Sequence, residues 1–221
     1  MSANALLSPP KARPGDRVAV LSPSFAAPAV APEVHEQAMR RLQEITGLIP
    51  VEYPTTRKLG ARPRERARDL MAAFADDSIR AICATIGGDD QITVIPHLDP
   101  EVVRAHPKPF LGYSDNTHLH HFLTCGLRSF YGGSTQVHLG PGPHVDPEHA
   151  AGLRAALLTG EKLEITRPAQ SEDHGLDWGD PAVLTSFGQR EDTEEWTWAG
   201  PRAGAGRRSC LRPSSWPAGS R

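Results

Sequence analysis

The sequence predicts an α/β protein with a parallel, doubly wound sheet. Strand-like apolar runs alternate with helix-like segments across residues 17–166. The run at 79–86, IRAICATI, is apolar almost throughout, which is typical of a strand covered on both faces. Turn residues follow such runs at 87–90 and 113–115. In a parallel sheet these two turns should meet at the carboxyl edge, where ligands usually bind.

Each predicted element has a local reason. The helix at 32–47 begins near Pro32, repeats apolar residues on one face and ends at Gly47. The helix at 62–76 turns Leu70, Ala73 and Phe74 to one side. In chain order we predict strand 17–24, helix 32–47, strand 49–53, helix 62–76, strand 79–86, strand 109–113, helix 115–125, strand 129–131, helix 147–158 and strand 163–165.

Composition excludes several classes of protein. The 221 residues carry a formal net charge of −2 and are 38% hydrophobic, which argues against a nucleic-acid-binding protein. No apolar stretch is long enough for a membrane span, and residues 1–14 lack a secretory core. Cys83, Cys125 and Cys210 are too few and too widely spaced for a disulfide framework. We expect a cytoplasmic protein with no nucleic-acid or membrane partner and with Cys83 and Cys125 buried.

The pattern divides the chain into three parts. Residues 1–167 form the predicted α/β domain that carries the nucleophile, and residues 168–201 read as a linker and the start of a second domain. Residues 202–221 hold five Arg and no Asp or Glu, with no helical or strand period. Two interpretations of this tail stay open: a disordered basic tail, or a change of reading frame near Pro201.

Ser114 is the main candidate for chemistry. It follows the apolar run ending at Tyr113 and precedes a helix-like segment, a geometry that exposes a hydroxyl near a helix N-terminus. The amide of Asp115 is placed as one oxyanion donor, and the Gly87-Gly88 loop can supply a second. Alternatively, Ser114 or Asp115 simply caps the helix, and the glycine loop is a phosphate-binding or ordinary turn.

The nearby histidines give weaker signals. His118 and His121 share a helical face next to Ser114, but no carboxylate or third His stands at metal-ligand spacing. His118 would have to fold back by one turn to act as a base. We interpret this HLHH stretch as a solvated or partly buried helix face. Acidic residues at 191, 194 and 195 read as a solvated cluster.

Four segments together resemble a known family. They are PGDRVAV with SPS at 14–24, IGGDD at 86–90, FLGYSDNT at 110–117 and SFYGG at 129–133. In these segments the chain resembles the serine peptidases that include LD-carboxypeptidases and microcin C self-immunity peptidases. The resemblance extends over about residues 11–201. WTW at 196–198, followed by Gly200-Pro201, is similar to the domain junction of the immunity branch.

The resemblance implies a site and a fold. Ser114 would be the nucleophile, and the amides of Gly88 and Asp115 would form the oxyanion hole, with no metal or other cofactor. The fold would be a flavodoxin-like domain followed by a β-rich domain, usually in a homodimer. Substrates would be small peptides or peptidyl and aminoacyl nucleotide conjugates. The Glu and His of the family's triad lie in the second domain and are absent from this chain.

The sequence therefore leads to two functional hypotheses. The first is an LD-carboxypeptidase-like or microcin C immunity-like serine peptidase, a hydrolase that we expect to be truncated and inactive as this chain. The second is a non-catalytic α/β module that binds a peptide or a nucleotide. A sugar or phosphate enzyme with the same sheet has support only from the fold.

Overall fold

A parallel sheet forms the centre of the molecule. The computed structural model describes residues 6–160, 163–164, 166–172 and 174–195. Five strands lie in one sheet in the order β2-β1-β3-β4-β5, and two short strands form an antiparallel ribbon. The strands are β1 (Arg17–Leu21), β2 (Ile49–Glu52), β3 (Ile79–Ala84), β4 (Phe110–Gly112), β5 (Phe130–Tyr131), β6 (Gln170–Ser171) and β7 (Glu191–Asp192).

Helices connect the parallel strands or follow the last of them. They are α1 (Ala27–Val30), α2 (Pro32–Thr46), α3 (Pro63–Ala75), α4 (Pro100–Ala105), α5 (Thr117–Leu123), α6 (Thr135–His138) and α7 (Pro147–Arg154), which continues as a π-helical turn at Ala155–Thr159. As predicted, Pro32 occupies the first turn of α2, and the helix ends at Gly47 with φ of 71°. In α3, the Glu65 side chain accepts the Arg62 N–H at 2.8 Å, which satisfies a free donor at the helix start.

The strand order identifies the fold class. Every pairing in the large sheet is parallel, and the order 2-1-3-4-5 is that of flavodoxin-like proteins. The predicted α/β class is confirmed. Since β1 and β3 are neighbours whose chains leave toward opposite sides, the loops after them border the crevice in which such sheets bind ligands.

Two apolar layers cover the sheet. On one face, Val18, Val20 and Cys83 pack against α2 and α7, and burial raises the pKa of the Cys83 thiol to about 12. On the other face, Ala19 and Ile82 pack with residues of α3 and α5. The strands bury side chains on both faces, which explains why β3 reads as an unbroken apolar run. Cys125 is only half-buried, contrary to prediction.

The segment after α7 packs back onto the α/β domain. Val183 is 2% exposed and clusters with Ala31 and Val34 at the start of α2. Gln37 Nε2 donates to the carbonyl oxygens of Gly140 and Leu184, at 2.8 and 2.9 Å. Residues 174–195 are thus joined to α2 by apolar contacts and by hydrogen bonds.

Several local predictions need correction. Leu163 and Glu164 are not in a strand, and the antiparallel pair of β6 and β7 forms instead, because Gln170 and Ser171 pair with Asp192 and Glu191. The helix predicted at 115–125 begins as a 3₁₀ turn at Ser114–Asn116, and its α-helical part ends at Leu123. The predictions for the WTW junction, Cys210 and the tail fall outside the described residues.

Candidate active site

Ser114 lies on a strained turn between β4 and α5. Its φ is 59°, and among the described residues it is the one non-glycine residue with positive φ. A serine in this region costs on the order of 1–3 kcal/mol, so the surrounding structure must hold it there. The residue is exposed at the carboxyl edge of the sheet. The predicted sharp turn that presents a hydroxyl is therefore present.

Hydrogen bonds from the loops after β1 and β3 hold the turn. Asp115 Oδ2 accepts the hydroxyl proton of Ser24, from the loop after β1, and the Gln91 N–H at 2.9 Å. Gln91 Nε2 donates to Asn116 Oδ1 at 2.7 Å, and Asn116 Nδ2 donates to the Ile86 carbonyl at 3.0 Å. The Asp115 carboxylate is therefore occupied in positioning the turn, and its side chain is 7% exposed.

The glycine loop after β3 touches the Ser114 turn. A Cβ added to Gly87 would lie 2.8 Å from Ser114 Cβ, 3.0 Å from Ser114 Oγ and 3.1 Å from the Asp115 nitrogen. A Cβ on Gly88 would lie 2.1 Å from Ser24 Oγ. Glycine is required at both positions because backbone approaches backbone or a buried hydroxyl. The two turns meet, as the parallel sheet predicts.

The amide of Asp115 faces this contact. In the described part of the chain no acceptor is hydrogen-bonded to the Asp115 N–H or to the Gly88 N–H. An unpaired amide next to an exposed hydroxyl, as at Asp115, can donate to the negative oxygen of a tetrahedral intermediate, whereas the nearest neighbours of Gly88 are Ser24 and Phe25.

A buried arginine ties the glycine loop to the loop after β1. Arg66, on α3, is 4% exposed, and its guanidinium donates to both carboxylate oxygens of Asp90, at 2.7 and 2.8 Å. The same side chain donates to the carbonyl oxygens of Pro23 and Ser24, at 3.3 and 3.0 Å. One side chain therefore fixes both loops that border Ser114, the one after β1 and the one after β3.

The histidines near Ser114 do not act on its hydroxyl in this arrangement. His118 Nε2 lies 3.6 Å from Asp115 Oδ1. His120 is held at both ring nitrogens, since Nδ1 is hydrogen-bonded to Ser129 Oγ at 2.7 Å and Nε2 to the Gly112 carbonyl at 3.1 Å. Burial lowers the pKa of His120. Among the described residues, no hydrogen bond joins an imidazole to Ser114 Oγ, and no cluster of three or more His, Cys, Asp or Glu could hold a metal.

A cleft of about 1040 Å³ opens beside β5. Tyr131, Thr135, His138 and His149 contribute to its wall, and apolar surface prevails. Burial, with a contribution from the neighbouring His149, lowers the pKa of His138 to about 4, so this ring is neutral near pH 7. Thr135 is 2% exposed, and its hydroxyl has no partner among the described residues.

Sequence reasoning missed several residues of the site. Ser24, Arg66 and Gln91 support the turn from other loops, and Tyr131 contacts Ser114 directly. Ser24 and Tyr131 lie inside the SPS and SFYGG segments of the family resemblance, which indicates their importance only weakly. The sequence gives no sign of the role of Arg66, because a buried arginine in an amphipathic helix cannot be distinguished by sequence from a solvated one.

Fold and site together define a class of protein: flavodoxin-like α/β domains with a serine on a strained turn at the carboxyl edge of the sheet. Residues 18–132 match the family described as the LD-carboxypeptidase N-terminal domain. The chain belongs to this family, as its motifs predict.

Curated relatives agree with this assignment. A protein of Vibrio cholerae, provisionally named a carboxypeptidase, is 32% identical over 171 residues, which cover 74% of this chain and 51% of the relative. The microcin C7 self-immunity protein MccF of Escherichia coli is 31% identical over 127 residues, covering 55% of this chain and 36% of MccF. The chain thus spans about half, or less, of the relatives it matches.

Solved structures show the same fold. MccF in complex with aspartyl sulfamoyl adenosine superposes with a TM-score of 0.75 at 26% identity, covering 85% of this chain and 58% of that chain. An MccF-like protein from Streptococcus pneumoniae in complex with AMP gives a TM-score of 0.71 at 25% identity, with coverages of 80% and 55%.

Proposed function

We propose that this chain carries the nucleophile of a serine-type carboxypeptidase, which hydrolyses small peptides or peptidyl and aminoacyl nucleotide conjugates in the cytoplasm. The observation that carries the proposal is the strained, exposed Ser114, with the Asp115 N–H unpaired beside Gly87. A helix cap would need neither the strain nor the glycine contact. The ligands in the solved MccF structures, an aminoacyl nucleotide analogue among them, support the substrate class.

The proposed reaction begins at Ser114. Its Oγ attacks the carbonyl carbon of the scissile bond, and the resulting oxyanion accepts hydrogen bonds from the amides of Gly88 and Asp115. The hydroxyl proton passes to a base, the C–N bond breaks, and the amine leaves with a proton. Water then attacks the acyl-serine, releases the carboxylate and restores the hydroxyl.

We expect slow turnover by this chain alone. Among the described residues, none is placed to take the Ser114 proton, and a positioned base contributes roughly 10²–10⁴-fold to such reactions. We also propose that the α/β domain ends near residue 167 and that the protein forms the homodimer usual for its family. Within the described ranges, no helix has the length and apolar character needed to cross a membrane.

A fluorophosphonate probe tests the nucleophile. The full chain should become labelled at Ser114, as identified by peptide mass spectrometry, and Ser114→Ala should not. A denatured sample is the control for non-specific labelling. If the folded wild-type chain is labelled no faster than the denatured one, Ser114 is not activated and the proposal is wrong.

A non-catalytic binding module is the second candidate. It is favoured by the cleft beside β5, where the buried Thr135 hydroxyl lacks a partner in the described part of the chain. Calorimetric titration with aspartyl sulfamoyl adenosine separates the two candidates. If the wild-type chain is not labelled by the probe, and both the wild type and Ser114→Ala bind the ligand, the non-catalytic module is favoured.

A further inference from the structure

Tyr131 is joined to the nucleophile by a direct hydrogen bond. The Ser114 N–H donates to the Tyr131 hydroxyl oxygen at 3.0 Å, across 17 residues of sequence. The parallel pairing of β4 with β5 explains the contact, since Tyr131 stands opposite Gly112 in the register. Tyr131 is 62% exposed, so burial does not explain why a tyrosine ring stands here.

Neighbouring rings fix the direction of the Tyr131 side chain. The rings of Tyr131 and His120 are 5.4 Å apart between centroids, and those of His120 and Phe110 are 5.2 Å apart in an edge-to-face contact. His120 is itself held by hydrogen bonds to Ser129 Oγ and to the Gly112 carbonyl. The Tyr131 hydroxyl is therefore directed at Ser114 by a packed column that starts in the core.

Both backbone groups of Ser114 are held by side chains. Its N–H is held by Tyr131, and its carbonyl accepts the Thr117 hydroxyl at 2.6 Å. With both groups engaged, the peptide planes on either side of Ser114 cannot rotate freely. This restraint opposes relaxation of the φ of 59° and leaves the side-chain oxygen exposed.

We propose that Tyr131 is a positioning residue for Ser114: its hydroxyl, by accepting the Ser114 N–H, holds the strained turn that exposes the nucleophile. The inference rests on the proposed function of Ser114. Because Tyr131 uses its oxygen as the acceptor, its own proton stays available to a ligand. A phenylalanine at position 131 should keep the ring packing but lose the hydrogen bond that positions Ser114.

The test compares Tyr131→Phe with Tyr113→Phe. Tyr113 is adjacent to Ser114, but its hydroxyl interacts with Ser134, so its removal deletes an equal group that does not touch Ser114. Amide hydrogen exchange, followed by NMR on the full chain, should be about tenfold faster at Ser114 in Tyr131→Phe, the factor expected for one neutral hydrogen bond. Tyr113→Phe should leave the exchange rate at Ser114 unchanged.

Fluorophosphonate labelling gives the functional readout. Tyr131→Phe should label Ser114 about tenfold more slowly than wild type and lower the thermal midpoint by no more than about 2–4 °C, a combination that a general loss of packing would not give. Equal exchange at Ser114 in wild type and Tyr131→Phe overturns the positioning role, whatever the labelling shows. Absent labelling of the wild-type chain refutes the proposed function, and the exchange measurement still decides the role of Tyr131.

Discussion

At the scale of the residue, the site depends on how closely two backbones approach. Gly87 lies against the side chain of Ser114 and the amide of Asp115, and there is no room for a methyl group between them. Any side chain at this position must push the glycine loop away from the turn or turn Ser114 out of place. Gly87 therefore controls how closely the glycine loop approaches the nucleophile.

The first prediction concerns Gly87→Ala. Its Cβ would lie 2.8 Å from Ser114 Cβ, so we expect labelling of Ser114 to fall at least tenfold and the free energy of unfolding to fall by about 1–3 kcal/mol. Probe kinetics and urea denaturation measure the two effects.

Gly152→Ala is the matched control for this prediction. Gly152 lies inside α7, and an added Cβ there would meet only Leu163 Cδ2, at 4.0 Å. We expect Gly152→Ala to stabilise the fold by about 0.5–1 kcal/mol, since alanine is the better helix former, with unchanged labelling. Normal labelling in Gly87→Ala would contradict the close approach of the two turns.

At the scale of the element, helix α3 does more than cover the sheet. Its buried Arg66 reaches the loops after β1 and β3 and satisfies the carbonyl oxygens of Pro23 and Ser24 as well as the Asp90 carboxylate. Asp90 lies two residues after Gly88, so the Arg66 contact anchors the end of the glycine loop to α3. The helix is therefore a support of the proposed oxyanion hole.

The second prediction tests this support with Arg66→Ala. The change leaves two carbonyl oxygens and a carboxylate without their donor, so we expect the free energy of unfolding to fall by about 2 kcal/mol. Labelling of Ser114 should slow in parallel, because the glycine loop loses its anchor. Arg68→Ala is the control, since Arg68 belongs to the same helix and is 66% exposed. Equal unfolding free energies for the two variants would refute the anchoring role.

At the scale of the whole molecule, the segment after α7 is attached by a small number of contacts. Val183 fills a pocket formed with Ala31 and Val34, and the guanidinium of Arg190 donates to both carboxylate oxygens of Asp146 at 3.0 Å. Val183 and its partners form a cluster separate from the two apolar layers that cover the sheet. Residues 168–195 should therefore detach while the α/β domain remains folded.

The third prediction uses Val183→Asp to detach this segment. Burying an unpaired carboxylate costs several kcal/mol, so we expect the segment to leave its pocket. Limited proteolysis should then cut within 168–195 at least tenfold faster than in wild type, with the circular dichroism of the α/β domain retained. Ser186→Asp adds the same charge at an exposed position, and this variant should be cut at the same rate as the wild type. Loss of the α/β signal in Val183→Asp would show that the proposed boundary near residue 167 is misplaced.

The parallel α/β class, the strands of the large sheet, the longer helices α2 and α3, and the exposed turn that carries Ser114 could be predicted from the sequence, whereas the short helices α1, α4 and α6 were not. These features depend on periodicity, on proline and glycine at element ends, and on interactions between residues close in sequence, all of which can be read locally. Leu163 and Glu164, which were predicted to lie in a strand, do not, because strand pairing as well as local pattern decides whether so short a segment becomes a strand. That Arg66, Ser24 and Tyr131 support the turn could not be predicted from the sequence. Their hydrogen bonds join residues 17 to 91 positions apart, and such contacts exist only after the sheet has set the register of its strands.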